Sequence, residues 1–109
     1  MEITLTQSQI AVIQPSGHVN AATVDELQSQ LNNAISYQER ILVDLHKVES
    51  LDSAGLMALV ATQRKAQELK CRFSLCSVSP AIRIIFELTQ LDRVFEIFDN
   101  RAAFEAAII

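Results

Sequence analysis

Tryptophan is absent from this chain of 109 residues, aromatics make up only 6%, and there are two glycines, two prolines and two cysteines. Each scarcity excludes something. Without aromatics the core has to be aliphatic, and a hydrophobic content of 50% supplies it from Ile, Leu, Val and Ala. So few glycines leave no Gly-rich loop to cradle a phosphate and no G-x-S-x-G elbow of a serine hydrolase. Cys71 and Cys76 fall in one expected strand, ~16 Å apart at ~3.3 Å per residue and on opposite faces, beyond disulfide reach. Their spacing matches no zinc motif. They read as reduced thiols in or near the core.

Basic residues are also few. Nine Lys and Arg against thirteen Asp and Glu leave a net charge of -4. No basic run exists to neutralise phosphates, which argues against a nucleic-acid binder and against an anionic membrane surface. The longest apolar run, Ala54 to Ala61, is far short of the ~20 residues needed to cross a bilayer. Met1-Glu2-Ile3-Thr4 lacks a basic region followed by an apolar block, so no signal peptide is expected. These features predict a soluble, cytoplasmic, single domain over residues 1–109, with no metal and no cofactor.

The positive signals are periodic. Glu2 to Thr6 alternates apolar and polar, and Ile10 to Gln14 is a second apolar run. Gln7-Ser8-Gln9 between them is short enough for a hairpin turn. Pro15 and Gly17 end that strand. Thr23 and Glu26 have capping-box spacing, with Asn20 an alternative cap. Val24, Leu27, Leu31, Ala34 and Ile35 then predict a helix of about four turns. Ile41 to Leu45 reads as a strand covered on both faces, followed by a loop from His46 to Leu51.

A second helix is expected from Asp52 or Ser53, burying Leu56, Leu59, Val60 and Leu69. Arg72 to Val78 reads as a strand. Ser79-Pro80 starts a helix, with Ser as cap and Pro at the first position. That helix's expected inner face is Ile82, Ile85, Phe86 and Thr89. Val94 to Phe98 is a last strand, and Asp99 or Asn100 caps a short helix carrying Phe104, Ala107 and Ile108. The alternation predicts an α/β fold: an open, mixed, largely parallel sheet of about five strands with about four helices packed on it.

Chemistry concentrates in Asp52-Ser53-Ala54-Gly55-Leu56, just past a buried strand and at a helix start. Open α/β sheets place sites at that end. Helix starts offer free N–H groups and a partial positive charge. Ser53 is expected to cap the helix, accepting from the N–H of Gly55 or Leu56. A phosphate on Ser53 would find the same donors, and Gly55 would leave its approach open. A D-S-A-G tetrapeptide alone more often marks a Ser-capped structural helix than a site.

Its context is more specific. Strand Ile41 to Leu45, linker His46 to Leu51, D-S-A-G-L, a helix, strand Arg72 to Cys76, Val78-Ser79-Pro80-Ala81-Ile82-Arg83 and Leu88-Thr89-Gln90-Leu91-Asp92 follow in order. With Gly17-His18-Val19-Asn20 upstream, the whole chain resembles the STAS family of bacterial anti-sigma factor antagonists. The resemblance implies a partner-switching regulator of transcription. Its unphosphorylated form binds an anti-sigma factor that is also a Ser/Thr kinase of the histidine-kinase-like ATPase fold, and the sigma factor is released. Phosphorylation of Ser53 dissolves that complex, and a PP2C-type phosphatase resets it. Asp52 and Gly55 match the motif positions beside the serine. Asn20 and Thr23 match the partner-facing turn, with Asn20 standing where Asp is usual. The implied partner surface is Asn20, Thr23, Asp52, Ser53, Gly55 and Leu56.

Two other readings stand beside this one. An enzyme is disfavoured: the only histidines, His18 and His46, read as solvated loop residues, and Asp44 with Glu49 makes a poor acid/base pair across a core strand and a polar loop. The second keeps the fold and makes the chain a STAS scaffold or accessory subunit, for example of a lipid-transport ATPase, or a switch acting on another target.

Overall fold

The computed structural model describes residues 2–5 and 10–108. Five strands form the main sheet: β1 (Glu2–Leu5), β2 (Ile10–Gln14), β4 (Arg40–Asp44), β6 (Arg72–Cys76) and β7 (Glu96–Phe98), in the order β1-β2-β4-β6-β7. β1 pairs antiparallel with β2 and every other pairing in this sheet is parallel. The helices are α1 (Val24–Tyr37), α2 (Ser53–Glu68), α3 (Pro80–Leu88) and α4 (Arg101–Ala107). The α/β mixed sheet with four helices is the architecture that the alternating pattern predicts. Thr6 and the expected turn at Gln7-Ser8-Gln9 lie outside the described residues.

Strand alternation divides the core in two. Ile13, Ile41, Val43, Phe73 and Leu75 pack against Leu27, Leu31 and Ile35 of α1, Leu59, Val60 and Ala66 of α2, and Ile82 and Phe86 of α3. Ile10, Val12, Leu42 and Cys76 leave the opposite face and meet Phe104 of α4. Burying one large aliphatic side chain contributes roughly 1.5–3 kcal/mol, so both layers are needed to hold so small a domain. Thr62 ties α1 to α2. Its hydroxyl donates to Ala58 O at 2.8 Å and accepts from Gln28 Nε2 at 3.3 Å.

Local chemistry sets most helix ends. Ser79 Oγ accepts from Ile82 N at 3.3 Å with Pro80 at the first helical position, as expected. Asn100 Oδ1 accepts from Ala103 N at 2.8 Å, so Asn100 rather than Asp99 caps α4. Thr23 occupies the cap position of α1, but its side chain caps nothing. The Thr23 hydroxyl donates instead to His18 O at 2.8 Å, and the capping box does not form.

Several expectations are corrected. β6 stops at Cys76 because Ser77 turns to φ 58, which breaks the extended run, and Cys71 precedes the strand. β7 starts only at Glu96, because a 3-10 turn at Leu91–Arg93 carries the chain through Val94. Leu69 and Thr89 lie beyond their helices and are exposed. Most important for the site, Gly17–Val19 and Val48–Leu51 are neither turn nor loop. They form a separate parallel two-stranded ribbon, β3 and β5.

Both cysteines are free and buried. Burial first, and then the neighbouring Asp44 carboxylate, push the Cys76 thiol up to about 11. A thiol held protonated this firmly is a poor nucleophile at neutral pH.

Candidate functional site

The ribbon brings together the two segments that the sequence singles out. Its register ends with Val19 opposite Leu51. Beyond that pair, Asp52 N donates to Val19 O at 3.1 Å. The turn carrying Asn20 and Thr23 therefore leaves the ribbon beside the start of α2, although some thirty residues of chain separate them. The Asn20 turn is stiffened from within. Asn20 Oδ1 accepts from Ala22 N at 2.9 Å, Thr23 Oγ1 accepts from Asn20 N at 3.0 Å, and Asn20 O accepts from Val24 N at 2.8 Å.

At the helix start the structure corrects the sequence reading. The cap is Asp52, not Ser53. Asp52 is extended (φ -94, ψ -173) and its Oδ1 accepts from Gly55 N at 3.1 Å. Asp and Ser cap about equally well. The hydrogen bond from Asp52 N to Val19 O decides between them, because it holds Asp52 in the extended conformation a cap requires. The Asp52 carboxylate also meets the positive end of the helix. Ser53 becomes the first helical residue, exposed, and its hydroxyl makes no hydrogen bond to the described residues.

Gly55 has a different task from the one its position suggested. It is buried under the ribbon, so it offers no open approach for a phosphate. A Cβ there would lie 2.6 Å from Leu51 Cδ1, 2.8 Å from Val19 Cγ1 and 3.0 Å from Val19 O. Glycine in a helix costs roughly 0.5–1 kcal/mol relative to alanine. Here it lets α2 sit directly on β3 and β5, which fixes the height of Ser53 above the sheet. Leu56 is half-buried and packs against the main core.

Of the residues singled out, Asn20, Thr23, Asp52 and Ser53 share one surface, Leu56 reaches it in part, and Gly55 supports it from below. Sequence reasoning missed Met57, which is 59% exposed one turn beyond Ser53. Its spacing of four from Ser53 places both on one helix face, and that periodicity was the available signal. His18 was also misplaced. It lies in β3, exposed, with Nδ1 2.6 Å from Ser50 Oγ and Nε2 3.7 Å from Glu49 Oε2. Asp44 is buried at the end of β4, where Oδ1 accepts from His46 N at 3.0 Å and Oδ2 from Gln14 Nε2 at 3.1 Å. It braces the turn that leads into β5.

Among the described residues no group of three His, Cys, Asp or Glu is placed to hold a metal ion, and no helix is long and apolar enough to cross a membrane. What the surface offers is an unengaged hydroxyl at a helix start, flanked by a carboxylate, polar turn residues and the apolar side chains of Met57 and, in part, Leu56.

Comparison with known proteins agrees with this architecture. A Bordetella bronchiseptica protein provisionally named anti-sigma factor antagonist BtrV is 28% identical over 92 residues, covering 84% of this chain and 79% of that one. An anti-sigma factor antagonist from Mycobacterium paratuberculosis superposes with a TM-score of 0.85 at 26% identity, over 96% of this chain and 90% of that one. SpoIIAA, a Bacillus cell fate determinant, shares the fold in its unphosphorylated form at a TM-score of 0.81, with 18% identity over 97% and 94% of the two chains. Its phosphorylated form matches at 0.77, again at 18% identity, over 97% of each chain. The model of the STAS domain matches residues 3–103, nearly the whole length. The chain belongs to the STAS domain family.

Proposed function

We propose that this chain is an anti-sigma factor antagonist whose binding is switched by phosphorylation of Ser53. The observation that supports this most is the state of Ser53 itself: exposed, first in α2, and spared the capping role that Asp52 performs. A hydroxyl with no structural duty can receive a phosphoryl group without loss of the fold. The likeness to proteins named as anti-sigma factor antagonists, one of them described in both phosphorylation states, supports the same reading.

In this reading the unphosphorylated surface of Asn20, Thr23, Asp52, Ser53 and the exposed parts of Leu56 and Met57 docks on an anti-sigma factor with serine kinase activity. Gly55 contributes by seating the helix. Phosphate adds about -1.5 to -2 charge at pH 7. It arrives beside Asp52 in a chain that is already at -4. An unpaired charge buried in an interface shaped for a neutral hydroxyl costs about 2–5 kcal/mol, which is roughly 30-fold to several thousand-fold in affinity. Free of the partner, the same phosphate lies near the positive end of α2, worth roughly 0.3–1 kcal/mol. The modification thus disfavours the complex and spares the fold. A PP2C-type phosphatase would return the chain to its binding state.

The test is a pull-down with the full unphosphorylated chain from the source cell extract, followed by phosphate mapping after the recovered kinase is given ATP. Recovery of an ATP-dependent kinase and phosphate on Ser53 is the expected result. Phosphate on another residue, with Ser53 unmodified, overturns the switch.

A further inference from the structure

The third helix, α3, is apolar on both of its faces. The inner face buries Ile82 and Phe86 in the main core. At about 100° per residue, Ile84 lies opposite those two, and Pro80, Ala81 and Leu88 fall within about 60° of it. All four are exposed, Ile84 at 56% and Leu88 at 80%. A surface helix ordinarily turns charged or polar residues outward. Six large apolar side chains are exposed among the described residues, and three of them, Ile84, Leu88 and Val94, belong to α3 and the 3-10 turn packed against it. Apolar residues scattered singly are normal on a surface, whereas a contiguous stripe marks a contact.

The charges beside the stripe say what covers it. Arg83 and Glu87 stand four residues apart on one flank, and neither forms an ion pair among the described residues. The midpoint between Arg83 and Glu87 falls at the height of Ile85. The midpoint between Ile84 and Leu88 falls at the height of Phe86, only ~1.5 Å further along the helix axis. A single two-fold axis at that height, perpendicular to the helix, generates an antiparallel copy of α3. It sets Ile84 against Leu88 of the second copy and Arg83 against its Glu87, and symmetry makes each contact twice. The face is therefore complementary to itself in both apolar surface and charge.

We propose that the outer face of α3 binds the same face of a second copy of this chain, as an antiparallel helix pair. Two helices of nine residues bury a small area, so the dimer belongs to the weak, transient class of interfaces. Its formation requires neither phosphorylation nor another protein, and it stands or falls separately from the switch at Ser53.

Sedimentation equilibrium of the full unphosphorylated chain alone, from about 10 µM to 1 mM, tests this. The expected result is a reversible monomer–dimer equilibrium. Ile84→Gln and Leu88→Gln should each weaken it at least tenfold, because each lost contact occurs twice. Both positions are exposed, so these variants should melt with the wild type. Arg83→Glu and Glu87→Arg should each weaken association about threefold, since either variant alone sets like charges together. An equimolar mixture of those two variants should recover the wild-type affinity, because in the mixed dimer every charge meets its opposite. A monomer at all concentrations, a dimer unaffected by Ile84→Gln and Leu88→Gln, or a mixture no tighter than its components overturns the proposal.

Discussion

Replacing Gly55 with alanine measures how closely α2 is seated on the ribbon. In an open helix this exchange stabilises by about 1 kcal/mol. At Gly55 the new Cβ meets Leu51 Cδ1 at 2.6 Å, Val19 Cγ1 at 2.8 Å and Val19 O at 3.0 Å. The Leu51 tip can rotate away. Val19 O cannot move without loss of the hydrogen bond from Asp52 N that sets the helix cap. Overpacking of a close contact costs about 1–3 kcal/mol. Taking the upper value for a contact that involves backbone, and subtracting the helix gain, leaves a net loss of about 2 kcal/mol. For a domain of this size that lowers the melting midpoint by roughly 10 °C. Gly55→Arg should lose more, and should fail to bind because the surface above it is displaced. Thermal and urea melts of wild type and Gly55→Ala give the answer. A midpoint unchanged or raised in Gly55→Ala would show that the ribbon does not press on the helix, and the account of how Ser53 is positioned would fall.

Asp52→Ala should cost about 1 kcal/mol through the lost cap, whereas Ser53→Ala should stay within about 0.5 kcal/mol in urea titrations; a larger loss from Ser53→Ala would return the capping role to the serine. The Glu96 carboxyl, lowered chiefly by its hydrogen bonds from Arg72, binds protons less readily folded than unfolded. Its stabilisation is present above the ordinary value of 4.5 and is lost as pH falls through the depressed folded value. Glu96→Gln should therefore flatten the acid side of the stability profile below about pH 4.5, as read by urea melts from pH 3 to 6, and an unchanged slope would refute the pairing.

What could be read from the sequence was what neighbouring residues decide. Ser79-Pro80 started α3 as expected, because cap and ring constraints act within one turn. Ile10 to Gln14 and Ile41 to Leu45 were legible as strands from their apolar density, although β4 runs one residue earlier, from Arg40 to Asp44. β3 and β5 were not. They have three and four residues, pair across the chain and contain a register shift at Gly17/His18, so no local periodicity announces them. The candidate surface could be named from the sequence as a set of residues but not as an arrangement. Ser53 was expected to be the cap, and only the hydrogen bond from Asp52 N to Val19 O shows why Asp52 takes that place. Gly55 looked like clearance for a ligand, and only the approach of Val19 and Leu51 shows it to be clearance for the protein's own backbone.

Titration calorimetry of Ser53→Ala and Ser53→Asp with the anti-sigma factor kinase, beside thermal melts, tests the central claim most directly. Aspartate at the first helical position adds a favourable charge of roughly 0.3–1 kcal/mol, so Ser53→Asp should melt at or above Ser53→Ala. Binding should run the other way. Ser53→Ala should bind like the unphosphorylated wild type, and Ser53→Asp at least 30-fold more weakly. Equal affinities for the two variants would contradict the assignment of Ser53 as the switch.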